Sequence, residues 1–268
     1  MSDEESHDAV YGSPAWRGRE AFRTFAASVM LDLRYFRSVQ GKKFLTDVLA
    51  SCHARTREVP KAFKWWRARL GCSWVDEVVI AETDQGPVIG DADMPFPAGE
   101  MKPPPVNWNS EGRVNPRGIS YLYLATNHNT ALAEVRPWIG SKVSVGKFVA
   151  VRDLTIIDCS VHRHGIIGVL GWGPSASYED GMWSAIDEAF AKPVGKDENT
   201  YDYIPTQILG ELFKKNGYSG VVYKSLLDDD GFNTVLFNPD DAKLVSNSLF
   251  MVNGVKFDST DQGCTYYT

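Results

Sequence analysis

The chain has 268 residues, of which 43% are hydrophobic and 23% charged, for a net charge of -6. That balance excludes a disordered chain, a collagen and a coiled coil. No window offers 18 apolar residues without a charge, and the acidic opening MSDEESHDAV lacks an apolar signal core, so a cytoplasmic protein is expected.

The charge is uneven. Residues 1–70 carry 13 Lys and Arg against 8 Asp and Glu, and the rest carry 15 against 26. No nucleic-acid motif accompanies the basic part, so it is expected to dock on the acidic body or on an acidic partner. After a polar stretch over residues 1–13, Ser13-Pro14 opens a helix. Its stripe runs Phe22, Phe25, Ala26, Val29, Met30, Leu33 and Phe36. Gly41 is expected to break it. Phe44, Leu45, Val48 and Leu49 then mark a shorter helix ending near His53. The stripe must bury against the body or a second subunit, which leaves a homodimer open.

Trp65 to Leu70 and Val75 to Ala81 read as strands, and the proline-rich residues 91–105 as loop. Ile119 to Ala125 reads as a strand, and Thr130 to Val135 as a short helix capped by Asn127 or Asn129 and stopped by Pro137. Val143 to Val151 and Thr155 to Asp158 read as strands, and 178–191 as a helix. Gln207 to Lys215 reads as a helix closed by Asn216-Gly217. Val221 to Tyr223 and Thr234 to Phe237 are strands around Asp229-Asp230-Gly231.

Several motifs are set aside. GSKVSVGK (residues 140–147) has one residue too many between its glycines for a phosphate loop, and Phe148 stands where magnesium needs a hydroxyl. Asp158, Cys159, His162 and His164 match no metal-site spacing, and the four widely spaced cysteines form no CxxC, so no metal is expected.

The informative stretch is Gly112 to Pro137, GRVNPRGISYLYLATNHNTALAEVRP. A loop presents Arg113, a tight turn follows, and a strand alternates Tyr121 and Tyr123 with Leu122 and Leu124. Glu134 then sits in an apolar helical run, where an ionisable group needs a partner or a solvated cleft.

In four pieces the chain resembles the RES domain family, named for an arginine, a glutamate and a serine. The pieces are Trp66-Arg67-Ala68-Arg69, then Gly112-Arg113-x-Asn115-Pro116-x-Gly118 with Tyr121 to Ala125, then Thr130 to Val135, and Thr206-Gln207 with Gly217 to Ser225. The resemblance spans about residues 61–240. It implies an α+β fold with an ADP-ribosyltransferase-like split β-sheet core and flanking helices. An N-terminal helical segment (1–60) would precede the RES domain (61–245), and a tail (246–268) would follow it. It implies an intracellular toxin that degrades NAD+, its substrate, by hydrolysis or phosphorolysis, restrained by a helix-turn-helix antitoxin. An ADP-ribosyltransferase acting on a protein and an inactive binding module are the alternatives. Residue by residue it gives Arg67 and Arg113 as the two arginines, Tyr123 as the strand tyrosine, Glu134 as the glutamate and Ser225 as the serine. Arg69, on the same strand face as Arg67, is a second candidate for the first arginine.

These residue types suit that chemistry. Cleaving the nicotinamide–ribose bond builds oxocarbenium character, which a carboxylate such as Glu134 stabilises. Arginine forks such as Arg67 and Arg113 match a pyrophosphate. A tyrosine such as Tyr123 stacks on nicotinamide, and Ser225 can orient ribose or tyrosine.

Overall fold

The computed structural model describes residues 12–104, 111–160, 176–192, 200–256 and 259–260. Ser13 caps helix α1 (Pro14–Leu31) by accepting from the Trp16 N–H at 3.2 Å. The helix stops before the apolar stripe does. Asp32 and Leu33 both donate to the Ser28 carbonyl, so the chain turns away and Leu33 and Phe36 are left exposed. Ser38 caps α2 (Val39–Ser51), so Gly41 lies inside the first turn of that helix and does not break a helix. A 3-10 turn (Cys52–Arg55) leads into β1 (Thr56–Val59).

Strands β2 (Lys64–Leu70), β3 (Ser73–Thr83) and β4 (Gly86–Met94) follow, so residues 91–94 are strand where loop was expected. β5 (Leu122–Ala125) starts three residues later than expected, because the Asn115 side chain donates to the Ile119 and Pro116 carbonyls and holds that stretch as a turn. Helix α3 (His128–Glu134) begins at the Asn127 cap and ends where Arg136 takes a φ of 46° before Pro137. Then come β6 (Lys142–Ala150), β7 (Leu154–Asp158), α4 (Tyr178–Ala191) and α5 (Ile204–Lys215). β8 (Gly220–Lys224), β9 (Phe232–Leu236) and β10 (Ala242–Met251) complete the chain order.

The main sheet runs β1-β7-β8-β9-β5-β2-β6-β10, with β7 and β8 parallel and the other pairs antiparallel. Its ladder nearly parts in one place. β2 meets β5 only at Trp66 opposite Ala125, while β2 and β6 pair continuously from Lys64–Val149 to Leu70–Val143. The expected α+β fold with a split sheet is therefore what forms, the split being a seam inside one strand order.

Period-2 alternation sends neighbouring side chains to opposite faces. Ile157, Val221 and Val235 face a cluster built with α1, α2, α4 and α5. Ile156, Val222 and Leu236 face a second cluster around Trp65, Met101 and Phe148.

The basic N-terminal segment buries on its own body. Phe22, Phe25 and Val29 enter the helical cluster with Trp183 and Phe190. α1 and α4 cross with backbones nearly touching: a Cβ on Gly18 would lie 2.0 Å from the Tyr178 carbonyl oxygen, and one on Gly181 would lie 1.8 Å from that of Ala15. β1, inside the segment set apart as 1–60, is an edge strand of the main sheet paired with β7. β10 likewise runs across the boundary drawn at 245, paired with β6 to Met251. Among the described residues no helix is long and apolar enough to cross a membrane.

Candidate active site at the sheet seam

The seam between β2 and β5 opens a cleft of about 230 Å³. Trp66, Arg67, Tyr123, Glu134, Tyr223 and Asn233 line it. Helix α3 packs on β2, β5 and β6 and so lies across the seam. That places Glu134, its last residue, over the gap.

The Glu134 carboxylate is fixed through a single oxygen. Ser225 Oγ donates to Oε1 at 2.8 Å, and Asn233 Nδ2 donates to the same atom at 2.6 Å. Oε2 makes no hydrogen bond among the described residues, which leaves it as the oxygen available to a ligand. Both donors are nearly inaccessible, Ser225 at 1% and Asn233 at 6% exposure. They stand at the two ends of the β8–β9 turn, whose middle grips the other end of α3. There Asp228 accepts from the Thr130 hydroxyl and from Asn127 Nδ2. The Thr130 bond first, and the Asn127 bond with it, hold the Asp228 carboxyl below its ordinary value. Gly231 makes this closeness possible, because a Cβ there would lie 2.0 Å from Thr130 Oγ1.

Arg67 projects from β2 and donates to the Tyr123 carbonyl at 2.7 Å. Its Nε is buried and makes no hydrogen bond among the described residues. Burial first, then the like charge of Arg69, pushes its pKa down to about 10, against a small opposing pull from Tyr123. Arg69 is engaged elsewhere: it donates to the Glu100 carbonyl, pairs with the Glu100 carboxylate at 3.5 Å and lies over the Phe96 ring. Of the two, only Arg67 lines the cleft.

Arg113 stands beside the cleft. Its guanidinium sits 5.6 Å from the centre of the Tyr223 ring and donates to the Phe190 carbonyl at 3.2 Å. Burial works against its charge, but Tyr223, Glu134 and Tyr203 outweigh that and hold its pKa above the ordinary value. Its loop is fastened from two sides. The Tyr123 hydroxyl donates to Asn115 Oδ1 at 2.7 Å and accepts from the Val114 N–H at 3.1 Å. From α5, the Thr206 hydroxyl donates to the Arg113 carbonyl and Gln207 Nε2 to the Gly112 carbonyl. The Tyr123 ring thus lines the cleft while its hydroxyl, whose pKa burial raises, is committed to the loop.

The structure brings Arg67, Tyr123 and Glu134 to one cleft, sets Ser225 against Glu134, and places Arg113 at the margin. Sequence reasoning missed Asn233 and Tyr223. The signal for Asn233 was an amide inside the apolar run FNTVL, where a buried polar group needs a partner. Among the described residues no group of three His, Cys, Asp or Glu could hold a metal ion. Asp158 accepts from Ser160 and pairs with Arg57, and His162 and His164 lie outside the described residues.

The family model of the RES domain matches residues 88–253. The chain belongs to the RES domain family. The matched stretch contains Arg113, Tyr123, Glu134 and Ser225, and begins after β2, which carries Arg67. No curated protein matches the chain. One solved structure, described as the M. tuberculosis MbcT-MbcA toxin-antitoxin complex, is similar at 13% identity with a TM-score of 0.39, covering 76% of this chain and 92% of that one.

Proposed function

We propose that this RES domain protein is an enzyme that cleaves the nicotinamide–ribose bond of NAD+ and acts as an intracellular toxin. The observation that carries the reading is the Glu134 carboxylate, tied by Ser225 and Asn233 through Oε1 at a cleft that Arg67 lines, with Arg113 at its margin beside Tyr223. Electrostatic stabilisation requires a charge whose orientation is fixed before the reaction, so that little reorganisation remains. Two donors on one oxygen supply that fixation and leave Oε2 for the ribose as its C1 turns cationic. Neither arginine forms an ion pair among the described residues, so both charges are available to a pyrophosphate. The unsatisfied Nε of Arg67 is a further donor in want of an acceptor.

At about 230 Å³ the cleft is smaller than the roughly 300–1,000 Å³ usual for a whole ligand. It suits the nicotinamide–ribose end of the dinucleotide, with the Tyr123 and Tyr223 rings as apolar walls. The adenosine half then lies outside the cleft. Family membership supports the rest of the reading, in which a cognate helix-turn-helix antitoxin restrains the enzyme in the cytoplasm.

Incubating the purified chain with NAD+ and following free nicotinamide tests the chemistry. The ribosyl product reports the acceptor: ADP-ribose for water, its phosphate ester for phosphate, or labelled protein for transfer. Expression in a bacterial host should arrest growth, and Glu134→Gln should relieve the arrest. Folded wild-type protein that releases no nicotinamide overturns the proposal.

A further inference from the structure

β3 and β4 pair only with each other, and no residue of either strand is buried. A two-stranded ribbon of this kind is marginal in water without something to cover it. This one is also apolar: Trp74 is 64% exposed, Ile89 61%, and Val79, Ile80 and Val88 lie open beside them. Over residues 73–94 it carries six carboxylates (Asp76, Glu77, Glu82, Asp84, Asp91 and Asp93) and no Lys or Arg. Asp93 pairs with Lys142 at the root of the arm. The other five form no ion pair among the described residues.

A second open patch has the opposite charge. Between α1 and α2, Tyr35 is 86% exposed, Phe36 78% and Val39 80%, with Leu31 and Leu33 beside them. Residues 31–43 hold Arg34, Arg37, Lys42 and Lys43 against the single acid Asp32. Lys43 pairs with Asp47. Arg34, Arg37 and Lys42 form no ion pair among the described residues, and Nη1 of Arg37 is buried without a hydrogen bond.

We propose that the β3–β4 arm of one copy docks on the α1–α2 corner of a second copy, so that the chain assembles as a two-fold dimer in which this contact is made twice. Charge decides between the pairings. Arm against arm would bring together six carboxylates from each copy, and corner against corner would oppose arginines, both of which like-charge repulsion disfavours. Only arm against corner joins opposite charges while covering both apolar patches. The arm's free edges also carry two register shifts, after Val75 and after Val79, which discourage indiscriminate strand pairing. The arm is thereby left to a partner of matching charge.

The test uses the full chain and light scattering coupled to size exclusion. Wild type is expected to be a dimer that loosens as salt rises. Asp76→Lys, Glu77→Lys, Glu82→Lys and Asp84→Lys together reverse the arm, leaving four lysines against Asp91 and Asp93, and Arg34→Glu with Lys42→Glu reverses the corner. Each reversed variant alone is expected to weaken the dimer about tenfold or more, because like charges now meet. Mixed together they are expected to re-form a dimer, since each reversed patch then meets its complement in the other variant. That rescue separates a lost interface from a lost fold. A monomeric wild type, a variant as dimeric as wild type, or a mixture that stays monomeric overturns the proposal, including the case in which the arm serves a different cationic protein.

Discussion

Glu134→Gln separates a carboxylate that acts on the transition state from one that merely packs. The glutamine carbonyl can take the place of Oε1 and accept from both Ser225 and Asn233, so the side chain stays where it is. Two bonds to a charged acceptor, worth about 1.5–3 kcal/mol each, become neutral bonds worth about 0.5–1.5 kcal/mol each. The fold therefore loses about 2–3 kcal/mol, less than the roughly 5–15 kcal/mol that holds a domain together. The larger loss falls on the reaction. A carboxylate about 4 Å from a developing unit charge contributes about 4 kcal/mol at an effective dielectric constant of about 20. An amide dipole recovers part of that, so turnover should drop by about 10² or more, equivalent to about 2.7 kcal/mol or more. Under the proposed function NAD+ affinity rests in the ground state on the arginines and rings, so it should stay within about threefold of wild type. Calorimetry of NAD+ binding and chromatography of released nicotinamide, on one preparation with a native melting profile, measure both halves. Near wild-type turnover would refute the reasoning, and so would a loss of binding as large as the loss of turnover.

Asn233→Ala and Ser225→Ala each remove one of the two bonds to Oε1. Each should lower kcat by about tenfold or more with little change in KM, and the double variant should fall short of the product because both act on one atom. Arg113→Ala should weaken NAD+ binding by about 1.5–3 kcal/mol and Arg113→Lys by less, as titration calorimetry can show. The depressed Asp228 carboxyl contributes stability that is full above the ordinary value of 3.8 and is lost as pH falls through its lower folded value. The melting-temperature gap between wild type and Asp228→Asn should accordingly be constant at neutral pH and close as pH drops below 3.8. Deleting residues 1–60 should abolish cooperative thermal unfolding, because it strips Phe22, Phe25 and Val29 from the core and β1 from the sheet.

Much of this fold is legible where local chemistry and tertiary packing agree. α4 spans 178–191 as read, because Ser177 and Asp180 form a reciprocal capping box ahead of a clear apolar face. α3 is likewise legible from Asn127 and Pro137. Legibility fails where the two diverge. The α1 stripe continues in sequence to Phe36, but Ser28 and Ser38 supply caps that redirect the chain, and an apolar corner results. β10 is hidden by a bulge between Leu244 and Ser246 that breaks its alternation, and β1 is only four residues long with Val59 alone buried. The candidate site divides the same way. Arg67, Arg113, Tyr123, Glu134 and Ser225 carry chemistry that a motif can expose. The amide of Asn233 inside FNTVL signals a buried partner, but only its 2.6 Å approach to Glu134, across 99 residues of chain, says which one.

The long-range bonds that fasten the site are also the ones that stitch the sheet halves to their helices. The β8–β9 turn holds α3 at both ends, through Asp228 at Thr130 and through Ser225 and Asn233 at Glu134. α5 and Tyr123 between them hold the Arg113 loop. Each clamp spans elements far apart in sequence, so its partners come together only when the whole sheet order has formed. A carboxylate and two arginines are costly neighbours to desolvate, and a folding chain gains nothing by collecting them early. Here their final positions are imposed by backbone carbonyls, amides and hydroxyls that the surrounding strands and helices have already fixed. This arrangement explains why the arginines remain without carboxylate partners among the described residues. Their guanidinium groups donate to the Tyr123 and Phe190 carbonyls instead, and under the proposed function that leaves their charge for an anionic ligand.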